Sequence, residues 1–141
     1  MGDFSAIDVS ASGLAAQRRR LDTIADNIAN AETTRTERGG PYRRRQVVFE
    51  EIASRELGQQ GVLGQQGVKV SQVTEDARPP RLVYRPGHPD ADANGYVAMP
   101  NVSIVEEMVD MMSATRSYEA NAAALNASKA MARKALELGR R

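Results

Sequence analysis

Residues 103–138 read SIVEEMVDMMSATRSYEANAAALNASKAMARKALEL, and they carry the most regular pattern in the chain. One row of mostly apolar or small side chains recurs at alternating spacings of four and three, the heptad rhythm of a helix that packs on another helix. We expect a helix about 54 Å long here, with a capping box of Ser103 and Glu106 at its start and Gly139 at its end. The row consists of Ile104, Met108, Met111, Thr115, Tyr118, Ala122, Leu125, Lys129, Ala132 and Leu136.

A second row with the same spacing lies near the N-terminus, so the sequence predicts a long helix at each end of the chain. This row consists of Phe4, Ile7, Ala11, Leu14, Arg18, Leu21, Ala25 and Ile28. Asn27 and Asn30 lie beside it, where a buried amide would fix the register of packed helices. An exposed face with Asn30 as a C-terminal cap is an equally good interpretation of this pair.

Glycine and proline punctuate the part of the chain between the two rows, where three short segments have the composition of strands. These segments are 42–50, 67–73 and 81–85, and we expect them to pair as a small antiparallel sheet. The first two are separated by a direct repeat, LGQQGV at 57–62 and again at 63–68, which we interpret as a duplicated flexible loop.

The sequence therefore predicts an α+β fold that is mainly α. Long N- and C-terminal helices with heptad rows form a coiled-coil-like pair or bundle, and a small antiparallel β insertion lies between them. We divide the chain into an N-terminal axial helix at 1–34, a β and loop domain at 35–100, and a C-terminal axial helix at 101–141.

The composition of the two rows bears on what covers them. Ala, Thr and Met occupy many positions where a two-helix coiled coil would carry Leu, so a single helix pair would be weak. This favours packing among several chains over a hairpin that closes within one chain, although the closed hairpin remains the alternative. We expect the apolar and small members of both rows, with Thr115, Tyr118, Asn27 and Asn30, to form an assembly interface.

The overall composition excludes several classes of protein. The 19 lysines and arginines are balanced by 18 aspartates and glutamates, so the basic excess of a nucleic-acid binder is missing. No cysteine is present, which excludes disulfides, thiol catalysis and cysteine-based zinc sites. The first residues lack the basic and apolar blocks of a cleaved signal peptide, and no apolar run has the length of a membrane span.

Residues 90–95, DADANG, imitate the start of a calcium-binding loop and so raise a calcium-dependent regulator as one further function. The twelfth position of that loop is Asn101 instead of a bidentate glutamate, and strand-like residues follow Gly95. A turn before the C-terminal helix explains the motif better, and we expect no metal site.

The arginine runs at 18–20, 43–45 and 140–141 have no aromatic platform beside them that would bind nucleic acid. A solvated face, or pairing with acids of a neighbouring subunit, explains them better. The candidate acids are Glu106, Glu107 and Asp110. His88, the single histidine, occupies a turn with no nucleophile placed beside it, so we expect neither an enzyme nor a cofactor.

Several segments closely resemble a known family. The chain resembles the N-terminal signature of flagellar rod and hook axial proteins at residues 10–17 (SASGLAAQ), 20–22 (RLD) and 24–31 (IADNIANA). The chain resembles the FlgC-type proximal-rod proteins at 40–43 (GPYR), 47–49 (VVF), 91–102 (ADANGYVAMPNV) and 118–121 (YEAN). The resemblance covers nearly the whole chain, and the LGQQGV duplication is its one departure.

The resemblance implies a structural subunit of the bacterial flagellar basal-body rod, which polymerises through its terminal helices into the drive shaft that transmits torque. It implies export without a cleaved signal peptide by the flagellar type III apparatus, and assembly in the periplasm. The implied partners are copies of the chain, rod subunits of the FlgB, FlgF and FlgG types, and the MS-ring adaptor protein. A generic coiled-coil adaptor or secretion-associated binding module is the alternative function.

Overall fold

The computed structural model describes residues 2–52 and 67–139. A long helix begins the chain, four short strands follow, and a second long helix comes last. This order confirms the predicted mainly helical α+β fold. The elements are α1 (Gly2–Ala29), β1 (Arg45–Ile52), β2 (Gly67–Glu75), β3 (Arg81–Tyr84), β4 (Tyr96–Met99) and α2 (Ile104–Gly139).

The two helices pack side by side as an antiparallel hairpin within one chain. Gly13 of α1 faces Asn121 of α2, whereas Asn27 lies level with Glu107, so the chain directions are opposed. A Cβ atom on Gly13 would lie 2.9 Å from the Asn121 amide nitrogen, so the absence of a side chain at this position lets α2 approach closely. Of the two arrangements that the sequence left open, the hairpin is therefore present in the isolated chain.

The Ser103 half of the predicted capping box is present at the start of α2. The backbone N–H of Glu106 donates to the Ser103 hydroxyl oxygen at 3.5 Å, and that of Glu107 donates to the Ser103 carbonyl at 3.0 Å. The first of these bonds satisfies one of the N–H groups that a helix leaves unpaired at its start, and the second is the first regular hydrogen bond of the helix. The helix then runs for 36 residues, to Gly139. None of the described helices is both long and apolar enough to span a membrane.

The strands form two separate antiparallel pairs, β1 with β2 and β3 with β4. The expectation of one sheet from three strands is corrected, because β3 pairs with β4, a fourth strand that the sequence analysis did not assign. Strand β2 lies along α1, where the backbone N–H of Val68 donates to the Ser12 hydroxyl at 3.1 Å. The predicted repeat loop covers 57–68. Its residues 57–66 lie outside the described residues, and its last two, Gly67 and Val68, begin β2.

The β3–β4 hairpin turns at Gly95, whose φ of +82° is readily adopted only by glycine. Asp92 holds the turn, because its carboxylate accepts the backbone N–H groups of Asn94 and Tyr96. Val97 and Met99 are buried on the inner face of the hairpin. A small core is formed by Ala31 and Tyr42 of the loop between α1 and β1 and by Val102 just before α2.

Candidate functional site

Asn27 is the centre of a buried polar cluster that joins α1 to the rest of the chain. It is 1% exposed, yet each polar atom of its amide makes two hydrogen bonds. The nitrogen donates to the Arg45 carbonyl at 2.8 Å and to the Glu107 carboxylate at 3.0 Å. The oxygen accepts the Tyr42 hydroxyl at 3.0 Å and the Arg45 backbone N–H at 2.9 Å. The expectation of a buried amide next to the heptad row is confirmed at this position.

Asn30 behaves differently from Asn27, because it is part of the local end of the helix. Its side-chain nitrogen donates to the Asp26 carbonyl at 2.9 Å, and its oxygen accepts the Thr33 hydroxyl at 3.1 Å. The capping interpretation is therefore confirmed for Asn30.

Glu107 brings a fully buried carboxylate into the same cluster. The Nε of Arg44 donates to one oxygen of this carboxylate, and Asn27 donates to the other. Arg44 also reaches Asp110 at 3.2 Å, and Arg20 of α1 reaches the second oxygen of Asp110 at 3.4 Å. Two of the arginines in the predicted runs are thus paired with acids of their own chain, which corrects the intersubunit pairing considered for them.

Breaking such a cluster lowers the free energy of unfolding, because removing one member leaves its partners buried and unpaired. Burial raises the pKa of the Tyr42 hydroxyl above its usual value, and the positive charge of Arg45 partly offsets that rise. The Arg45 guanidinium also stands 5.6 Å from the centre of the Tyr42 ring. The cluster therefore fixes α1, the start of β1 and the start of α2 relative to one another.

Asn101 makes a second junction just before α2. Its oxygen accepts the Arg44 backbone N–H at 2.9 Å, and its nitrogen donates to the Arg78 carbonyl at 3.1 Å. Arg78 in turn pairs with Asp76, and its side-chain hydrogen bond lowers the pKa of that carboxyl. The segments before β1, before β3 and before α2 are tied together at this point.

Asp90, from the motif that imitates a calcium loop, serves as a link between loops. Its two oxygens accept the Thr34 hydroxyl at 2.8 Å and the Arg35 guanidinium at 2.6 Å. The motif lies between two paired strands instead of between two helices. No group of three or more potential metal ligands occurs among the residues that the structure describes.

The structure separates the predicted interface residues into three sets. Those that are half-buried are Ile7, Leu14, Leu21, Ile28, Asn30, Met111, Ala122, Leu125 and Ala132. Those that are exposed are Ala11, Ala25, Ile104, Met108, Thr115, Tyr118 and Leu136. Asn27 is buried, and the side chain of Phe4 lies outside the described part. Their role in assembly stays a prediction, since the hairpin itself covers part of both rows.

Several of the most buried residues of the two helices lie beside the predicted rows. Ala16 and Ile24 of α1 and Ala114 and Ser128 of α2 are buried. Ile24, Ala114 and Ser128 each lie one position before a member of a row, so the heptad spacing did not indicate their burial. A straight helix also drifts away from a strict heptad seam.

The outer face of α2 carries an apolar stripe. Val105, Met108, Val109 and Met112 are spaced as neighbours on one side of a helix and are between 56% and 72% exposed. We call these four residues the outer stripe. Among the described elements α2 packs only on α1, so the outer stripe is not covered by its own chain.

Comparison with protein families identifies the class. The family model "Flagella basal body rod protein" matches residues 7–35, most of which lie in α1. The model "Flagellar basal body rod FlgEFG protein C-terminal" matches residues 93–138, which cover β4 and nearly all of α2. The two helices that form the hairpin therefore carry the signatures of flagellar basal-body rod proteins.

Individual relatives narrow the class further. The chain is 50% identical to the flagellar basal-body rod protein FlgC of Salmonella typhimurium, over 99% of each chain. It is 47% identical to the FlgC of Bacillus subtilis, over 99% of this chain and 100% of the relative. Its identity to the FlgC of Borreliella burgdorferi is 46%, over 98% of each chain. The chain belongs to the FlgC family, and it is a structural rod protein, not an enzyme.

Sequence reasoning missed the burial of Glu107, the role of Arg44 and the cluster they form. Two adjacent glutamates in the first turn of a helix look alike in sequence, and the partner arginine lies far away along the chain. The one available signal was Asn27, whose position next to the heptad row indicated a buried polar contact.

Proposed function

We propose that the chain is a subunit of the proximal rod that polymerises through its helical hairpin, and that the polymer acts as a drive shaft transmitting torque. The buried cluster around Asn27 supports this proposal. It holds the two helices and the start of β1 in one fixed arrangement, and a shaft that transmits torque needs subunits that do not deform easily.

The observation that carries the proposal is the exposed outer stripe of α2. Large apolar side chains that recur along one helix face are a typical protein contact surface. In a polymer the stripe would be covered by neighbours, at a gain of about 1.5–3 kcal/mol for each large side chain that becomes fully buried. The same surface would serve a coiled-coil adaptor, but the FlgC relatives favour the rod.

The proposed neighbours are copies of this chain, rod subunits of the FlgB, FlgF and FlgG types, and the MS-ring adaptor protein. We place the assembled chain in the periplasm, after export by the flagellar type III apparatus without a cleaved signal peptide. The support for these partners and this location is the family membership, together with the motif in α1 that rod and hook axial proteins share.

The test is complementation of a strain from which the gene is deleted. A Val109→Asp variant should be exported but fail to assemble, leaving MS rings without rods and cells without motility. Val109 is 61% exposed, so its replacement by a charge should leave the hairpin folded. The matched control is Val109→Ile, which keeps the stripe apolar and should restore motility. Normal flagella in the Val109→Asp strain would overturn the proposal that the stripe is an assembly surface.

A further inference from the structure

The turn of the β3–β4 hairpin contains the one asparagine of the chain that a glycine follows, Asn94 before Gly95. This pair of residues is prone to spontaneous deamidation, because the glycine has no side chain to hinder the attack of its nitrogen on the asparagine amide. The side chain of Asn94 is exposed and makes no hydrogen bond among the described residues. The amide that would react is therefore not held in place by the folded chain.

Deamidation at this site uses the backbone nitrogen of Gly95 as the nucleophile. The nitrogen forms a bond to the side-chain carbonyl carbon of Asn94, and that carbon loses its amide nitrogen as ammonia, which takes up the proton of the glycine N–H. The product is a succinimide ring. Water then opens the ring at one of its two carbonyl carbons and leaves an aspartate or an isoaspartate in place of the asparagine. Water is the only co-reactant that the step requires.

The folded turn withholds this nucleophile. The N–H of Gly95 donates to the Asp92 carbonyl at 3.0 Å, and the Gly95 carbonyl accepts the Arg85 N–H at 2.8 Å. Both backbone polar groups of the glycine are thus engaged, and the glycine itself is buried. Before the nitrogen can attack, its hydrogen bond has to break and the turn has to open locally.

The side chain of Asp92 reinforces the turn on both sides of the glycine. One oxygen of its carboxylate accepts the backbone N–H groups of Asn94 and Tyr96, at 2.9 and 2.8 Å. These bonds oppose the rotation of the main chain that would bring the glycine nitrogen to the asparagine side chain. Gly95 itself has a φ of +82°, and a Cβ there would lie 2.8 Å from the Tyr84 ring. The turn therefore requires the residue that makes Asn94 reactive.

We propose that the turn protects Asn94 from deamidation, and that Asn94 is a modification site which becomes reactive only when the β3–β4 hairpin opens. Modification then occurs in chains that have unfolded, globally or at this hairpin. An isoaspartate routes the main chain through the former side chain and inserts an extra carbon atom, which displaces the N–H groups that Asp92 binds. A modified chain therefore re-forms the turn poorly. This inference does not depend on the proposed function.

The experiment measures deamidation of the purified full chain by mass spectrometry of the peptide that contains Asn94, with fragmentation to assign the modified position. Folded wild type and wild type unfolded in guanidinium chloride are incubated at the same mildly alkaline pH and temperature. We expect the folded chain to react at least about tenfold more slowly, which corresponds to an opening free energy of about 1.4 kcal/mol. Asn94→Gln is the control for the site and should leave the mass of this peptide unchanged.

A second comparison assigns the protection to the turn. Asp92→Ala removes the acceptor of two N–H groups, so the ratio of its unfolded rate to its folded rate should be several-fold smaller than that of wild type. Comparing each chain with its own unfolded state cancels any effect of sequence on the chemistry. If Asp92→Ala does not fold, as circular dichroism would show, Asp92→Asn replaces it as a neutral and weaker acceptor. Equal rates in folded and unfolded wild type would overturn the inference, and so would a folded Asp92 variant that keeps the full protection.

Discussion

At the scale of single residues, the chain depends on one asparagine and one glutamate that most helices would leave in solvent. Asn27 and Glu107 are buried against each other and are joined to Arg44 and Tyr42 by hydrogen bonds. A buried polar group stabilises a fold only if each of its partners is satisfied, and this cluster meets that condition. Its benefit is orientation, because the hydrogen bonds form in only one arrangement of the helices and β1.

We expect Asn27→Ala to lower the free energy of unfolding by about 3 kcal/mol, because it leaves the Tyr42 hydroxyl, the Arg45 N–H and a Glu107 oxygen buried without this partner. Urea denaturation followed by circular dichroism measures the loss. The matched control is Asn126→Ala on the exposed side of α2, which should stay within about 0.5 kcal/mol of the wild type. Equal effects of the two substitutions would contradict the role given to the cluster.

A second residue-scale prediction concerns pH and Asp90. The hydrogen bond from Thr34 holds the pKa of Asp90 below its usual value, and the charge of Arg35 lowers it further, while partial desolvation opposes both. A carboxyl with a depressed pKa in the folded state contributes stability above its unfolded pKa, near 3.9, and this contribution is lost as pH falls through the folded pKa. Wild type should therefore exceed Asp90→Asn in stability at neutral pH and converge with it in strong acid.

Denaturation midpoints at a series of pH values test the Asp90 prediction. Asp22→Asn provides the control, since Asp22 is exposed on α1 and forms no described ion pair. A difference between wild type and Asp90→Asn that persists unchanged into strong acid would show that the substitution acts through something other than charge.

At the scale of elements, the helices were predictable from sequence and the strand pairing was not. The heptad spacing placed the C-terminal helix at 103–138, and the structure has it at Ile104–Gly139. Strand β4 was not assigned as an element, although strand-like residues were noted after Gly95, because it is short and Pro100 follows at once. The pairing of β3 with β4 depends on the turn that Asp92 and Gly95 build, which is a matter of local geometry.

The candidate site was predictable to the same limited degree. Heptad spacing identified α1 and α2 as the packing elements, but it placed the contact one or two positions to the side of several buried residues. Distant pairs such as Arg44 with Glu107 have no periodic signal at all. Exposed apolar residues on the hairpin also look, in sequence, like ordinary strand positions, because only the structure shows that the opposite face is already filled.

An element-scale prediction tests the contact between the helices. Leu125 is half-buried towards α1, so Leu125→Asp should lower the free energy of unfolding by about 2 kcal/mol, through lost apolar burial and the cost of placing a charge there. Leu138→Asp is the control, because Leu138 is exposed near the end of α2. Urea midpoints of the two variants should differ clearly. Similar midpoints would mean that Leu125 contributes nothing to the hairpin.

At the scale of the whole molecule, the buried contacts are concentrated at one end of the hairpin. The Asn27 cluster, Ile24 and Ala114 lie near the strands, whereas residues 133–139 of α2 are all exposed. Isolated helical turns are marginally stable in water, so their amides open independently of the folded end. The chain thus has a rigid end, beside the strands, and a less stable end at residues 133–139. In the proposed polymer, neighbouring subunits would supply the packing partners of that second end.

Native-state hydrogen exchange on the dilute monomer should follow this gradient. We expect the slowest exchange at residues 20–27 and 107–114, next to the buried cluster, and exchange near the unfolded rate at 133–139. The Asn27→Ala variant should lose most of the protection in the first two segments while exchange at 133–139 stays unchanged, because that end does not depend on the cluster. Uniform protection along α2 would contradict this account and would mean that packing of small residues alone holds the hairpin closed over its whole length.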